Sequence, residues 1–210
     1  MQTEGFRSMP KFLSCSAAAV ISVFAVAHAN ADIRIYAAAG LSQQTPEAGS
    51  QPSTKALTGA VTKLAGHLDV FSPVPGVSIY AGPEIQMGTF IREYDDAAAL
   101  KAKETVKMNS AGLEAGVHVG LIPIVTLQAG LNYGFPTGGT KEVVKPTGTV
   151  SGKATKGSET GLTLRALITP FPLFRLGAEY SVGTGAVTHE NHGELKYSLW
   201  AARGVLGIAL

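Results

Sequence analysis

Apolar and polar residues alternate with a period of two along most of this chain, and that period fixes what it can fold into. Alternation sustained over about ten residues describes a strand with one apolar and one polar face. The clearest run sets Val77, Ile79, Ala81, Ile85, Met87 and Ile91 against Ser78, Tyr80, Gly82, Glu84, Gln86, Gly88 and Arg92. Glu84, Glu114, Glu179, Arg165, Arg175 and Arg203 all fall on the polar faces of such runs. Charges turned inward and apolar residues turned outward call for a barrel in a membrane. Hydrocarbon offers no partner to an open sheet edge, so the sheet must close on itself.

The first 31 residues are read apart from the rest. Arg7 and Lys11 form a basic segment, Leu13 to Val26 is uncharged and apolar, and Ala29-Asn30-Ala31 fits the small-x-small rule for cleavage. This predicts a secretory signal peptide over 1–31 and a mature start at Asp32, with cleavage after Ala29 and initiation at Met9 as alternatives. About fourteen apolar residues fall short of the roughly 20 that span a bilayer as a helix. Cys15, the sole cysteine, precedes the apolar run, where a lipoprotein would need it to follow. The mature chain therefore has no disulfide and no thiolate metal site. Its net charge, about +1 once Arg7, Lys11 and Glu4 are removed, excludes a generally basic nucleic-acid binder.

Residues 32–210 read as eight strands. Ile33, Ile35, Ala37, Ala39 and Leu41 share one face, with Arg34, Tyr36 and Gly40 between them. A run from Thr62 to Phe71 and the Val77–Arg92 run follow, the latter with Pro83 as a bulge or kink. Further runs lie at 111–121, 125–135, 162–168 and 174–182, and a last one ends at Leu210. Short proline turns fall at 72–76, 122–124 and 169–172. Polar loops are expected at 43–55, 95–108 (with room for a short helical turn), 136–158 and 183–194. Short and long connections alternate, as in an outer-membrane barrel.

The signal segment, the eight alternating strands and the ending Leu206-Gly207-Ile208-Ala209-Leu210 resemble the small outer-membrane barrel superfamily. That superfamily includes the OmpA transmembrane domain and the opacity-type surface proteins. The resemblance implies an all-β, eight-stranded antiparallel up-and-down transmembrane barrel in the bacterial outer membrane. It also implies assembly machinery that reads the last strand, where Leu210 stands in place of the usual aromatic residue.

Counting from the periplasmic ends puts Lys63, Glu84, Glu114, Glu179 and Arg203 at similar mid-barrel height. His67, Asp69, His118, Arg165 and Arg175 are expected in a lower layer. The interior of so narrow a barrel is filled by side chains, and unpaired buried carboxylates would cost several kcal/mol each. The reading is a charged plug, with a gate or narrow ion path and a catalytic acid as alternatives. His67 with His118 lacks a further metal ligand at a suitable spacing. His189 and His192, beside Glu190 and Glu194, form a loop cluster read as a solvated tip rather than a metal site. Ser198, near His192, is assigned to the lipid side, so no hydrolase is expected. Lys141, Lys145, Lys153 and Lys156, with Glu142 as the sole nearby acid, could engage lipopolysaccharide phosphates or an acidic surface.

Three functions remain open: a structural or surface-interaction barrel acting through its external loops, a channel or transporter for small ions or apolar solutes, and a periplasmic lipid-binding barrel. No cofactor is assigned, and no surface partner can be named.

Overall fold

A computed structural model describes residues 32–49, 55–96 and 100–210. The expected signal peptide, with Met9 and Cys15, lies outside the described residues. The rest forms strands β1 (Ile33–Pro46), β2 (Leu57–Val74), β3 (Val77–Asp95) and β4 (Lys101–Ile122), followed by β5 (Val125–Lys145), β6 (Gly148–Phe171), β7 (Phe174–His189) and β8 (Gly193–Ala209). Each pairs antiparallel with the next, and β1 pairs with β8 from Arg34↔Ala209 to Pro46↔Tyr197. The result is a closed eight-stranded up-and-down barrel with no free edge.

The lower connections are the expected proline turns. Gly76 closes the β2–β3 turn at φ 80°, a left-handed conformation that glycine adopts without steric cost. Leu173, in the equivalent place between β6 and β7, adopts φ 82° despite its side chain. Pro83 breaks the β2–β3 ladder between Ala65↔Glu84 and Leu68↔Ala81 without shifting its register. A proline has no N–H to donate, so the ladder skips; the bulge lies further on, between Asp69 and Phe71.

The upper connections correct the sequence reading. Residues 136–158 are mostly not a loop: β5 continues to Lys145, and β6 starts at Gly148. β4 begins at Lys101, so strand replaces the helical turn expected within 95–108. The expected 183–194 loop is strand too, apart from a turn at 190–192. Strands run from 14 to 24 residues, well beyond the ~9–11 that cross a bilayer. Their Gly, Thr and Lys content resembles a loop, yet inward positions such as Lys141, Val143 and Val187 are buried.

Large apolar side chains cover the lower and middle outer wall, among them Leu41, Leu64, Ile85, Leu113, Leu131, Leu164 and Leu206. Tyr133, Phe135, Tyr180 and Trp200 are exposed on this belt, and Phe71, Phe171 and Phe174 at its turn end. Arg34, Lys63, Glu114, Glu179 and Arg203 are buried inside. Apolar outside and ionic inside is the surface of a membrane-spanning barrel.

Candidate functional site

The alternation that sends Ile85 and Leu113 to lipid sends Glu84 and Glu114 into the lumen, where four further charged side chains meet them. Lys63 Nζ lies 2.6 Å from Glu84, 2.9 Å from Glu114 and 3.9 Å from Glu179. Arg165 grips both oxygens of Glu114, Nη1 to Oε1 at 2.6 Å and Nη2 to Oε2 at 2.7 Å, and donates its Nε to Glu179 at 2.5 Å. Arg203 Nη1 donates to the other Glu179 oxygen at 2.5 Å and to Ser181 Oγ at 2.9 Å, while Nη2 reaches Gln86 at 2.7 Å.

Three cations thus meet three carboxylates. Charge-assisted and bidentate bonds of this kind are the strong ones. Neutral groups add hydrogen bonds at the periphery. The Tyr80 hydroxyl donates to Glu114 at 2.7 Å, Asn132 donates to Glu84 at 3.3 Å, and Gln128 donates to the Tyr36 hydroxyl at 2.8 Å. Glu114 is 0% exposed, so its charge is compensated entirely by protein.

The two expected layers are therefore sorted differently. Arg165 belongs to the central network rather than to the lower layer, because its long side chain reaches from β6 to Glu114. His67 joins it as well, stacked on Tyr80 at 4.4 Å with its Nε2 3.8 Å from Glu114. Asp69 stays below and pairs with Arg34. His118 lies 3.4 Å from Ser78 Oγ. Arg175 is half-buried near the lower end, with Nε and Nη1 lacking a hydrogen-bond partner. Arg34, Tyr80, Gln86 and Gln128 also take part. The sequence does not single them out as site residues, although each lies at an inward position of its strand.

A second ionic layer lies above the belt. Glu104 accepts from Arg92 Nε at 2.8 Å and sits 3.1 Å from Lys141 Nζ. Lys141, expected on an exposed loop, is buried instead, and burial lowers its pKa against the pull of Glu104. Sequence reasoning misses Glu104 because its strand reads as loop. Lys145 pairs with Asp96 at 3.1 Å, while Lys153 and Lys156 are exposed. His189, expected at a solvated tip, is 2% exposed; burial first, then Lys141 and His192, push its pKa down to about 4. His192 is half-buried and shifted down as well. No metal-binding group of three or more His, Cys, Asp or Glu occurs among the described residues. Ser198 faces outward on β8.

No family model and no curated protein matches this sequence. Solved structures do. A major outer membrane protein from Thermus thermophilus is 13% identical, covering 87% of this chain and all of its own length, with a TM-score of 0.53. Neisserial surface protein A is 9% identical, covering 84% of this chain and 96% of its own, at 0.51. Ail of Yersinia pestis is 14% identical, covering 85% and 98%, at 0.45. The fold of residues 32–210 is that of the small outer-membrane β-barrels.

Proposed function

We propose that the chain is an outer-membrane barrel with a sealed lumen, acting structurally or as a surface-interaction protein through its outer half. The observation that carries this reading is the pairing of Lys63, Arg165 and Arg203 with Glu84, Glu114 and Glu179 across the barrel. Each charge has at least one opposite partner, and the bidentate Arg165–Glu114 contact bridges two non-adjacent strands. An ion crossing this level would have to break several buried pairs at once, at several kcal/mol for each charge left uncompensated.

The belt contacts outer-membrane lipid, and β8 is the strand offered to the barrel-assembly machinery. Lys153 and Lys156 remain on the outer wall for lipopolysaccharide phosphates, whereas Lys141 and Lys145 are engaged by acids of the protein itself. The reading assigns no reaction. Its test is conductance in a planar bilayer. Inserted protein should leave the membrane silent under voltage; steady, uniform openings would replace the seal by a pore with Glu84, Glu114 and Arg203 as its filter.

A further inference from the structure

The longest interruption of a ladder lies between β5 and β6. β5 and β6 pair from Val125↔Ile168 to Gly134↔Glu159 and again from Thr140↔Lys153 to Lys145↔Gly148. Between these stretches, residues 135–139 face residues 154–158 without pairing. Both lips are still held from behind. Pro136, Gly138 and Gly139 pair with β4, and Ala154, Lys156 and Gly157 pair with β7. Each lip carries an irregularity: β5 passes from Ser110↔Pro136 to Asn109↔Gly138, and β6 shifts register between Ala154 and Lys156. Bulges of this kind end pairing and re-aim a strand.

Glycines line the β5 lip, and Gly139 lies so close to β4 that an added Cβ would meet the Lys107 carbonyl oxygen at 2.3 Å. A Cβ added at Gly134 or Gly138 would find its nearest atom 3.6 or 3.9 Å away, on β4 in both cases. One added at Gly157 would meet β7. None of these nearest atoms belongs to the strand across the seam. The seam begins beside Phe135, at the upper edge of the apolar belt, where acyl chains give way to headgroups. Unpaired backbone is tolerable at that height because polar headgroups and water can satisfy it; in the hydrocarbon it would not be.

What lies on either side of the seam suggests an occupant. Inside is an apolar cluster formed by Leu57, Phe90, Val106, Met108, Val187, Leu195 and Tyr197, with Ala154 of the β6 lip packed against it. Met108 is the register partner of Gly139, so no side chain on β5 screens it there. Outside, a hollow of about 490 Å3 reaches Gly139 and Thr140 and is lined also by Met87, Thr89, Lys107 and Asn109. Lys107 stands between Thr89 and Thr140 in register, while Lys103 stands opposite Glu93 and Lys101 opposite Asp95. It is thus the outward lysine of β4 with no acid opposite it. Hydroxyls, an amide and a cation outside, with apolar side chains behind a glycine lip, match an anionic head on a long tail.

We propose that the β5–β6 seam is a side port for a long-chain fatty acid. Its carboxylate would sit in the Lys107 hollow, and its tail would pass Gly138 and Gly139 to Met108, whose unbranched side chain yields most readily. The port lies above the charged network, so it does not depend on whether the lumen conducts.

The test uses the protein in lipid bilayers and a fatty acid carrying a photoreactive diazirine at its tail end. After illumination, adducts are mapped by mass spectrometry. Adducts on Val106, Met108 and Leu195 are expected; adducts confined to outward residues such as Leu113, Leu131 and Tyr133 would overturn the proposal. In a Cys15→Ser background, Gly138→Cys with Thr155→Cys allows the lips to be tied by a cleavable bismaleimide. Tying should reduce interior adducts at least tenfold and cleavage restore them; interior labelling indifferent to the tie would also overturn the port. Lys107→Glu should lower interior labelling about tenfold, the loss expected from removing one charge-assisted contact. Labelling that ignores it overturns the head site. A mobility shift on boiling confirms that each variant is folded.

Discussion

Along β4 and β8 the lower and upper halves of this barrel share one strand in one phase, yet their outer faces are chemical opposites. On β4, Leu113, Ala115 and Val117 face outward, and Glu114 faces the lumen. Higher on the same strand, Lys101, Lys103, Thr105 and Lys107 face outward, and Ala102, Val106 and Met108 are buried. β8 repeats the change: Glu194, Lys196 and Ser198 give way to Trp200 and Leu206 on the outside. Below the aromatic residues the barrel is apolar outside and ionic inside; above them lysines and hydroxyls lie outside on these strands, and an apolar cluster joins the Arg92–Glu104–Lys141 layer inside. Parity is continuous along β4 and β8, where only the solvent changes, whereas bulges invert it in β5 and β6, so that Gln128 and Lys141, and likewise Arg165 and Ala154, all face inward. A hydrogen-bonded strand therefore carries no memory of which face is core; the environment at each height decides it.

Substitutions in the two halves should separate them. The largest effect is expected in the lower half from Arg165→Ala, which strips Glu114 of its bidentate partner and should cost about 3–5 kcal/mol in unfolding from lipid. A loss below ~1 kcal/mol would mean that the network does not hold the lumen. In the upper half, Leu195→Ala should cost about 2–5 kcal/mol by opening a cavity in an apolar interior. A negligible loss there would show the upper half to be loosely packed.

Ile85→Arg should cost about 2–4 kcal/mol near the bilayer midplane, whereas the same change at outward Thr105 should stay within about 0.5 kcal/mol. Equal sensitivity at both sites, read from the folded band on an unboiled gel, would place the membrane boundary wrongly.

Acid should sharpen the contrast. His189, above the belt, has its pKa lowered to about 4 from the usual 6.5. The unfolded segment therefore binds its proton first as pH falls. Stability from burying neutral His189 is complete above pH 6.5 and is lost as pH falls toward about 4. Amide exchange should accelerate in the β7–β8 hairpin over that window, and His189→Phe should abolish the change. A small effect is expected at the partly exposed Lys145–Asp96 pair, where Lys145→Ala should cost no more than about 1 kcal/mol.

The same contrast explains what can be read from the sequence. The lower half is legible because hydrocarbon permits few exceptions: Glu84, Glu114 and Glu179 have to face inward if Ile85, Leu113 and Tyr180 face lipid. Strand number, proline turns and most of the central network follow from parity. Layer membership does not, because Arg165 reaches well beyond its own height. The upper half reads as loop because water accepts Thr, Lys and Gly outside, and its inward positions mix Lys141, Val143 and Glu104. Without a membrane to enforce it, the two-residue period is blurred, so the burial of Lys141 and His189 is hidden.

Whether one set of strands passes from lipid to water with its sidedness inverted can be measured directly. In a Cys15→Ser background, single cysteines at Thr105, Val106, Leu113 and Val117 would be challenged with a membrane-impermeant maleimide in intact bilayers. Thr105→Cys should react readily, while Val106→Cys, Leu113→Cys and Val117→Cys should not. Of these three, Leu113→Cys and Val117→Cys alone should react with a lipid-soluble reagent. Aqueous labelling at Leu113, or protection of Thr105 by the bilayer, would contradict the inversion.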